Sequence, residues 1–186
     1  NFIDMSGSHN WNIADIRIGE ATTIHTQSLP DCGVFIGQSP SNGATSFSMT
    51  HVRIEGGWRH ACVGNFAVPS GAFYDCDFYN ARLTVTGHVS ENDATNTACV
   101  VLTKDNSVGF IASGGFTLAA TNMTGRSMSD VHFVNCEFHD KTNPSTIATT
   151  NTAGNASAFY LQGVRNISVR GGNMSSSGQS IVMSMA

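Results

Sequence analysis

The sequence predicts an all-β fold, a right-handed single-stranded parallel β-helix of about six stacked rungs. The first observation is a six-residue pattern that recurs along the 186 residues at intervals of 24, 36 or 60. The second is the composition, in which 12% of residues are charged and Gly, Ser, Thr and Asn are abundant. Solvated helices are rich in Lys, Glu, Ala and Leu, whereas strands joined by tight turns favour the residues found here.

The recurring pattern is an apolar residue, any residue, a turn former, a small or apolar residue, any residue and an apolar residue. Its five copies read IADIRI from Ile13, MTHVRI from Met49, FYDCDF from Phe73, FVNCEF from Phe133 and VRGGNM from Val169. Successive side chains of a strand face opposite sides, so the first and last residues of each copy are predicted to point inward. Equivalent residues of stacked coils then form columns with a spacing of about 4.8 Å.

The third residue of each copy is predicted to form a sharp turn. This position is occupied by Asp15, His51, Asp75, Asn135 and Gly171. Asn, Asp, His and Gly tolerate left-handed or bridging backbone angles, so we assign these side chains to turn geometry rather than to catalysis. Cys76 and Cys136 follow this position and are predicted to share one inward column. A single rung cannot bury its own apolar face, so stacking supplies the core.

A second family of short strands precedes most copies of the pattern. Its members are FIDM at Phe2, GVFIG at Gly33, ACVG at Ala61, ACVVL at Ala98, AFYLQ at Ala158 and SIVMS at Ser180. They predict another sheet of the same coil. Ser70 and Asp130 stand three residues before the copies that begin at Phe73 and Phe133, and they are 60 residues apart. This long interval predicts one further rung between the two copies, which we place at Ser107 to Phe110.

The repeated form FVNCEF, together with the opening run IDMSGSHNWNIADIRI, resembles right-handed parallel β-helices of the pectate-lyase-like class. The resemblance is greatest to the body of bacteriophage tailspikes and tail fibres. It implies a homotrimer in the virion tail that binds a bacterial surface polysaccharide. The sequence leaves open whether the protein is also an enzyme; if it is, we expect a glycoside hydrolase rather than a lyase. A secreted location is the alternative. Both ends of the chain interrupt apolar runs, so residues 1–186 are interpreted as one truncated segment of a longer protein.

Three polar stretches are longer than a turn requires, at residues 19–31, 80–97 and 140–157. All three lie between the end of one pattern copy and the next short strand. Insertions at the same corner of successive coils stack on one side of a solenoid, and such a side often binds ligands. The alternative interpretation is that they are surface loops or contacts between subunits.

Candidate catalytic carboxylates lie in the next outward column, which contains Arg17, Arg53, Asp77, Glu137 and Asn173. With the additional rung between them, Asp77 and Glu137 are expected about 9 to 10 Å apart. Inverting glycosidases hold their two carboxyl groups about 6.5 to 9.5 Å apart, which leaves room for a water molecule. Glu55, one rung from Asp77, is the third candidate. The structural alternative is a solvated ladder in which Arg53 pairs with Asp77.

Candidate substrate-binding residues lie in this column or near it: Trp58, Tyr79, Arg53, His139 and Tyr74. Aromatic side chains outside the inward register are suited to stacking on sugar rings. Trp11, in contrast, fits an inward column and is predicted to belong to the core.

Several classes of function are disfavoured. The net charge is −4 and the chain has no basic block, which argues against a nucleic-acid partner. No run is long and apolar enough for membrane insertion. Five cysteines without a CxxC pair predict buried, reduced thiols, and we expect no metal and no cofactor. A non-catalytic spacer or adhesin module and a secreted pectate-lyase-like polysaccharide lyase remain the alternative functions. No acid cluster for Ca²⁺ flanks Arg17 and Arg53, which disfavours the lyase.

Overall fold

The computed structural model describes residues 3–5, 7–19, 32–37, 45–56, 61–66, 68–80, 98–103, 128–140, 157–176 and 181–184. Within these ranges the regular structure is entirely β, and every strand pairing is parallel. The strands form three sheets, which the chain visits in the order A, B, C in each coil. This is a parallel β-helix, as the sequence predicted.

The three sheets have six, five and five strands. Sheet A contains β1 (Ile3–Asp4), β4 (Cys32–Gly37), β7 (Ala61–Phe66), β10 (Ala98–Thr103), β13 (Ser157–Gln162) and β16 (Ile181–Ser184). Sheet B contains β2 (His9–Ala14), β5 (Thr45–Thr50), β8 (Gly71–Tyr74), β11 (Met128–Val134) and β14 (Val164–Arg170). Sheet C contains β3 (Arg17–Gly19), β6 (Arg53–Gly56), β9 (Asp77–Asn80), β12 (Glu137–Asp140) and β15 (Asn173–Ser176).

The pairing register confirms the predicted inward columns. In sheet B the column is Ile13, Met49, Phe73, Phe133 and Val169. In sheet C it is Ile18, Ile54, Phe78, Phe138 and Met174. The central members are fully buried, and the rings of Phe73 and Phe133 stack with centroids 4.5 Å apart and planes 1° apart. Offset aromatic contacts of this kind add about 0.5 to 1.5 kcal/mol beyond the burial of apolar area.

The predicted turn between sheets B and C is also confirmed. Asp15, His51, Asp75 and Asn135 have φ values between 51° and 54°, and Gly171 has a φ of 70°. The backbone N–H groups of Asp15, His51, Asp75 and Asn135 each donate to a carbonyl of the next rung, as from Asn135 to Arg170 at 2.8 Å. The left-handed residue thus turns the chain from sheet B to sheet C while its own N–H stays hydrogen-bonded.

A second left-handed column lies at the start of sheet B, and the sequence did not reveal it. Its φ values lie between 52° and 61°, and its members are Asn10, Ser46, Ser70, Asp130 and Asn166. Ser is not a residue type that signals a left-handed angle, so the recurrence of polar residues at this position does not predict a turn from the sequence.

The prediction of an additional rung at Ser107 to Phe110, stacked between the rungs of Phe73 and Phe133, is wrong. Ser107 to Phe110 lie outside the described ranges, but β8 pairs directly with β11 and β9 pairs directly with β12. No position is left in sheets B and C for a rung between them. The 60-residue interval therefore contains one coil with long connections, which is tolerable because the entropic cost of closing a loop rises only slowly with its length.

The interior also contains the five cysteines. All are buried free thiols, as predicted, and Cys76 and Cys136 occupy adjacent turns in one column. Hydrogen bonding to Cys136 and burial both raise the pKa of the Cys76 thiol. Trp11 fulfils its predicted core role, since its ring stacks on Phe47 with centroids 5.1 Å apart.

Candidate functional site

The outer surface of sheet C carries most of the candidate site residues, because alternation along each short strand turns two residues outward. One outward column contains Arg17, Arg53, Asp77, Glu137 and Asn173. The other contains Gly19, Glu55, Tyr79, His139 and Ser175. We call these ten residues the sheet C face. The structure thus brings six of the predicted residues onto one surface: Arg53, Glu55, Asp77, Tyr79, Glu137 and His139.

At one end of the sheet C face, Glu55 bridges two arginines. Arg17 Nε donates to Glu55 Oε1 at 2.6 Å, and Arg53 Nε donates to Glu55 Oε2 at 2.7 Å. Hydrogen bonds from Arg17 and then Arg53 lower the pKa of Glu55 below its ordinary value. A carboxylate held in this way is a poor proton donor near neutral pH, so Glu55 is better suited to orienting Arg53 than to acid–base catalysis.

The predicted pairing of Arg53 with Asp77 is present. Arg53 Nη1 lies 3.2 Å from Asp77 Oδ2. Its bond to Glu55, followed by the charge of Asp77, raises the pKa of the Arg53 guanidinium. The other carboxylate oxygen, Asp77 Oδ1, is covered and has no hydrogen-bond partner among the described atoms. The part of the Asp77 carboxylate that remains exposed is therefore the oxygen that pairs with Arg53.

His139 lies between the two predicted catalytic carboxylates. Its Nε2 is 4.0 Å from Asp77 Oδ1 and 3.5 Å from Glu137 Oε2. Its Nδ1 lies 3.2 Å from Ser175 Oγ, which fixes the ring from the far side. Asn173 Nδ2 donates to Glu137 Oε1 at 3.1 Å. Asp77 and Glu137 thus both lie near the His139 imidazole, and Asn173 and Ser175 of the neighbouring rung hold Glu137 and His139 in place.

The separation expected between Asp77 and Glu137 is corrected by the register. These residues are direct partners on β9 and β12, on adjacent rungs rather than two rungs apart. Adjacent rungs are about 4.8 Å apart, well short of the 9 to 10 Å expected from an intervening rung. Retaining glycosidases hold their carboxyl groups about 5 to 5.5 Å apart, so a backbone spacing of one rung favours the retaining over the inverting arrangement.

The other predicted substrate-binding residues are distributed differently. Tyr79 lies on the sheet C face with its ring centroid 6.1 Å from that of His139. Tyr74 points outward with 42% of its surface exposed, but it lies on sheet B, beyond the Asp75 turn. Trp58 lies outside the described residues, as do most of the polar insertions. Tyr74 is therefore not part of the cluster around Asp77.

The turn residues form a separate polar ladder. His51 Nδ1 lies 3.2 Å from Asp15 Oδ1, His51 Nε2 lies 3.7 Å from Asp75 Oδ2, and Asn135 Nδ2 donates to Asp75 Oδ1 at 3.4 Å. This agrees with the architectural role predicted for Asp15, Asp75 and Asn135. The position of His51 between two carboxylates was not foreseen, because the sequence pattern identified it only as a turn former.

Two further observations describe the site and the chain. No group of three or more His, Cys, Asp or Glu side chains in the described ranges is arranged to hold a metal ion. The same part of the chain contains no helix with the length and apolarity needed to cross a membrane.

Comparison with protein-family models, curated proteins and solved structures finds no match to this chain.

Proposed function

We propose that this chain is a segment of a tailspike-like or tail-fibre-like β-helix that binds a bacterial surface polysaccharide along the sheet C face and hydrolyses it. The observation that carries this proposal is the pair of carboxylates, Asp77 and Glu137, on adjacent rungs around the His139 imidazole. Paired carboxyl groups on an open surface are the arrangement that glycoside hydrolysis requires. The proposed homotrimer and virion location follow from the resemblance of the repeat.

In the proposed reaction, Asp77 attacks the anomeric carbon while Glu137 protonates the departing glycosidic oxygen. Asp77 suits the first role because the positive charge of Arg53 lies 3.2 Å from it and stabilises its anionic form. Glu137, now a carboxylate, then takes a proton from water, which displaces Asp77 and releases a sugar of retained configuration. His139 orients both groups, and the half-buried ring of Tyr79 supplies a surface for a sugar to stack on.

The test is incubation of the full-length protein with purified capsule or lipopolysaccharide, followed by size-exclusion chromatography of the polymer. We expect shortening by the wild-type protein, and a loss of about 100-fold or more in rate for Asp77→Asn and Glu137→Gln. Asp75→Asn is the matched control, because it lies two residues from Asp77 in the turn ladder and Asn already occupies the equivalent position at Asn135. Unchanged cleavage by both catalytic variants would remove the site assignment.

A second candidate function is that of a stiff spacer or adhesin. It is favoured by the continuous ladders of side chains that join successive rungs, such as the aromatic column of sheet C and the turn ladder. Retained polysaccharide binding without any change in polymer size would support this candidate. Unsaturated products that require calcium would instead indicate a lyase.

A further inference from the structure

The positive charges of the sheet C face are already engaged by acidic partners. Among its ten residues only Arg17 and Arg53 carry a permanent positive charge. Both donate to Glu55, and Arg53 also pairs with Asp77. Arg53, which pairs with two carboxylates, has few N–H groups left for an anionic ligand, and the Nε and Nη2 groups of Arg17 are taken by Glu55.

The groups that remain available on this face are acceptors. The Glu137 side chain is 37% exposed and the Asp77 side chain is 29% exposed, through its Oδ2 oxygen because Oδ1 is covered. Three carboxylates oppose two guanidiniums, so the face carries one net negative charge when His139 is neutral. Ordered carboxylate oxygens accept hydrogen bonds from hydroxyl groups, whereas they repel carboxylates and sulfates.

We infer that the polysaccharide bound by the sheet C face is uncharged, and that its hydroxyl groups donate to Asp77 and Glu137. This inference rests on the proposed function and adds the chemical class of its substrate. An acidic polymer would compete with Glu55 for Arg17 and Arg53, and it would place like charges beside Asp77 and Glu137. A neutral sugar brings no like charge to the partly exposed carboxylates of Asp77 and Glu137.

The test compares matched polymers that differ in charge alone. A set of neutral O-chains and acidic capsular polysaccharides is immobilised, each acidic polymer before and after chemical reduction of its carboxylates to alcohols. Binding of the full-length protein is measured between about 0.05 M and 0.5 M salt, because screening weakens interactions between exposed charges. We expect binding to neutral or reduced polymers that changes by less than about twofold with salt.

A variant designed to bind acidic polymers more tightly than the wild type provides the second part of the test. Glu55→Gln keeps the size of the side chain but removes the negative charge that Arg17 and Arg53 share, so we expect the affinity for unreduced acidic polymers to rise roughly fivefold. Asp130→Asn is the matched control, since it also removes one negative charge but lies on sheet B beside Asn166. Circular dichroism melting of both variants verifies that they are folded.

The outcomes separate the two proposals. Tight, salt-sensitive binding to acidic polymers alone, or no gain for Glu55→Gln over Asp130→Asn, overturns the charge inference while the proposed function stands. Failure to bind any polymer of either charge overturns both. The salt series uses only the wild-type protein, so its result does not depend on how the variants fold.

Discussion

The two consecutive glycines of the last turn allow a sharp test of the stacked architecture. Gly171 and Gly172 have φ values of 70° and 74°, a region that costs an L-residue about 1 to 2 kcal/mol. A Cβ on Gly171 would meet the side-chain oxygen of Asn135, which can rotate away. A Cβ on Gly172 would overlap the backbone carbonyl of Cys136, which cannot move without displacing the rung.

Substitution of these two glycines by alanine is therefore expected to lower the free energy of unfolding by different amounts, although the two residues have similar φ values. Gly171→Ala should cost about 1 kcal/mol, the left-handed penalty offset in part by reduced freedom of the unfolded chain. Gly172→Ala carries the same penalty and must also separate β15 from β12, which share four registered residue pairs. At about 1 kcal/mol for each hydrogen bond that is lost, its total cost should reach about 3 to 5 kcal/mol.

Urea unfolding followed by far-ultraviolet circular dichroism measures the free energies of unfolding. Because a solenoid can open locally at one rung, amide hydrogen exchange over residues 164–176 measures the loss at the site itself. An equal effect of the two substitutions would refute the claim that backbone contact between rungs, rather than the turn angle, requires glycine at position 172.

Three further predictions concern the core and the ion pairs. The first is a double-mutant cycle of Phe73→Leu and Phe133→Leu in which the free energies of unfolding are measured in urea. Because the two rings stack, the cycle should give a coupling energy of about 0.5 to 1.5 kcal/mol. Additive effects of the two substitutions would contradict the stacking. Because its pKa is raised, Cys76 should resist iodoacetamide at pH 9 in the folded protein and react in urea, as peptide mass spectrometry can establish. The lowered pKa of Glu55 means that its contribution to stability is present above its ordinary pKa and is lost as the pH falls through the lowered value. Wild type should therefore lose more stability than Glu55→Gln between pH 6 and pH 3, and parallel pH profiles would contradict the Arg17–Glu55–Arg53 bridge.

Much of the rung could be predicted from the sequence because its rules are local. Alternation along a strand identified the inward column of Phe73 and Phe133, and the residue types at Asp75 and Asn135 identified a left-handed turn. The outward column that contains Asp77 followed from the same alternation.

The sequence did not specify which rungs are neighbours. The direct pairing of Asp77 with Glu137 joins residues separated by 60 positions, and residue spacing cannot distinguish a long connection from an omitted rung. The role of Glu55 as a bridge was missed for a related reason. Arg53 lies two residues from Glu55 on the same strand, but only the register between β3 and β6 brings Arg17 to the same carboxylate.

The central claim is that the acid pair on the sheet C face cleaves a polysaccharide. The most direct test is the anomeric configuration of the first product, followed by proton magnetic resonance after wild-type protein, Glu137→Gln or Asp75→Asn is added to the polymer. Adjacent carboxylates predict a product of retained configuration from the wild type and Asp75→Asn, and none from Glu137→Gln. Inversion of configuration, or undiminished product from Glu137→Gln, would contradict the account.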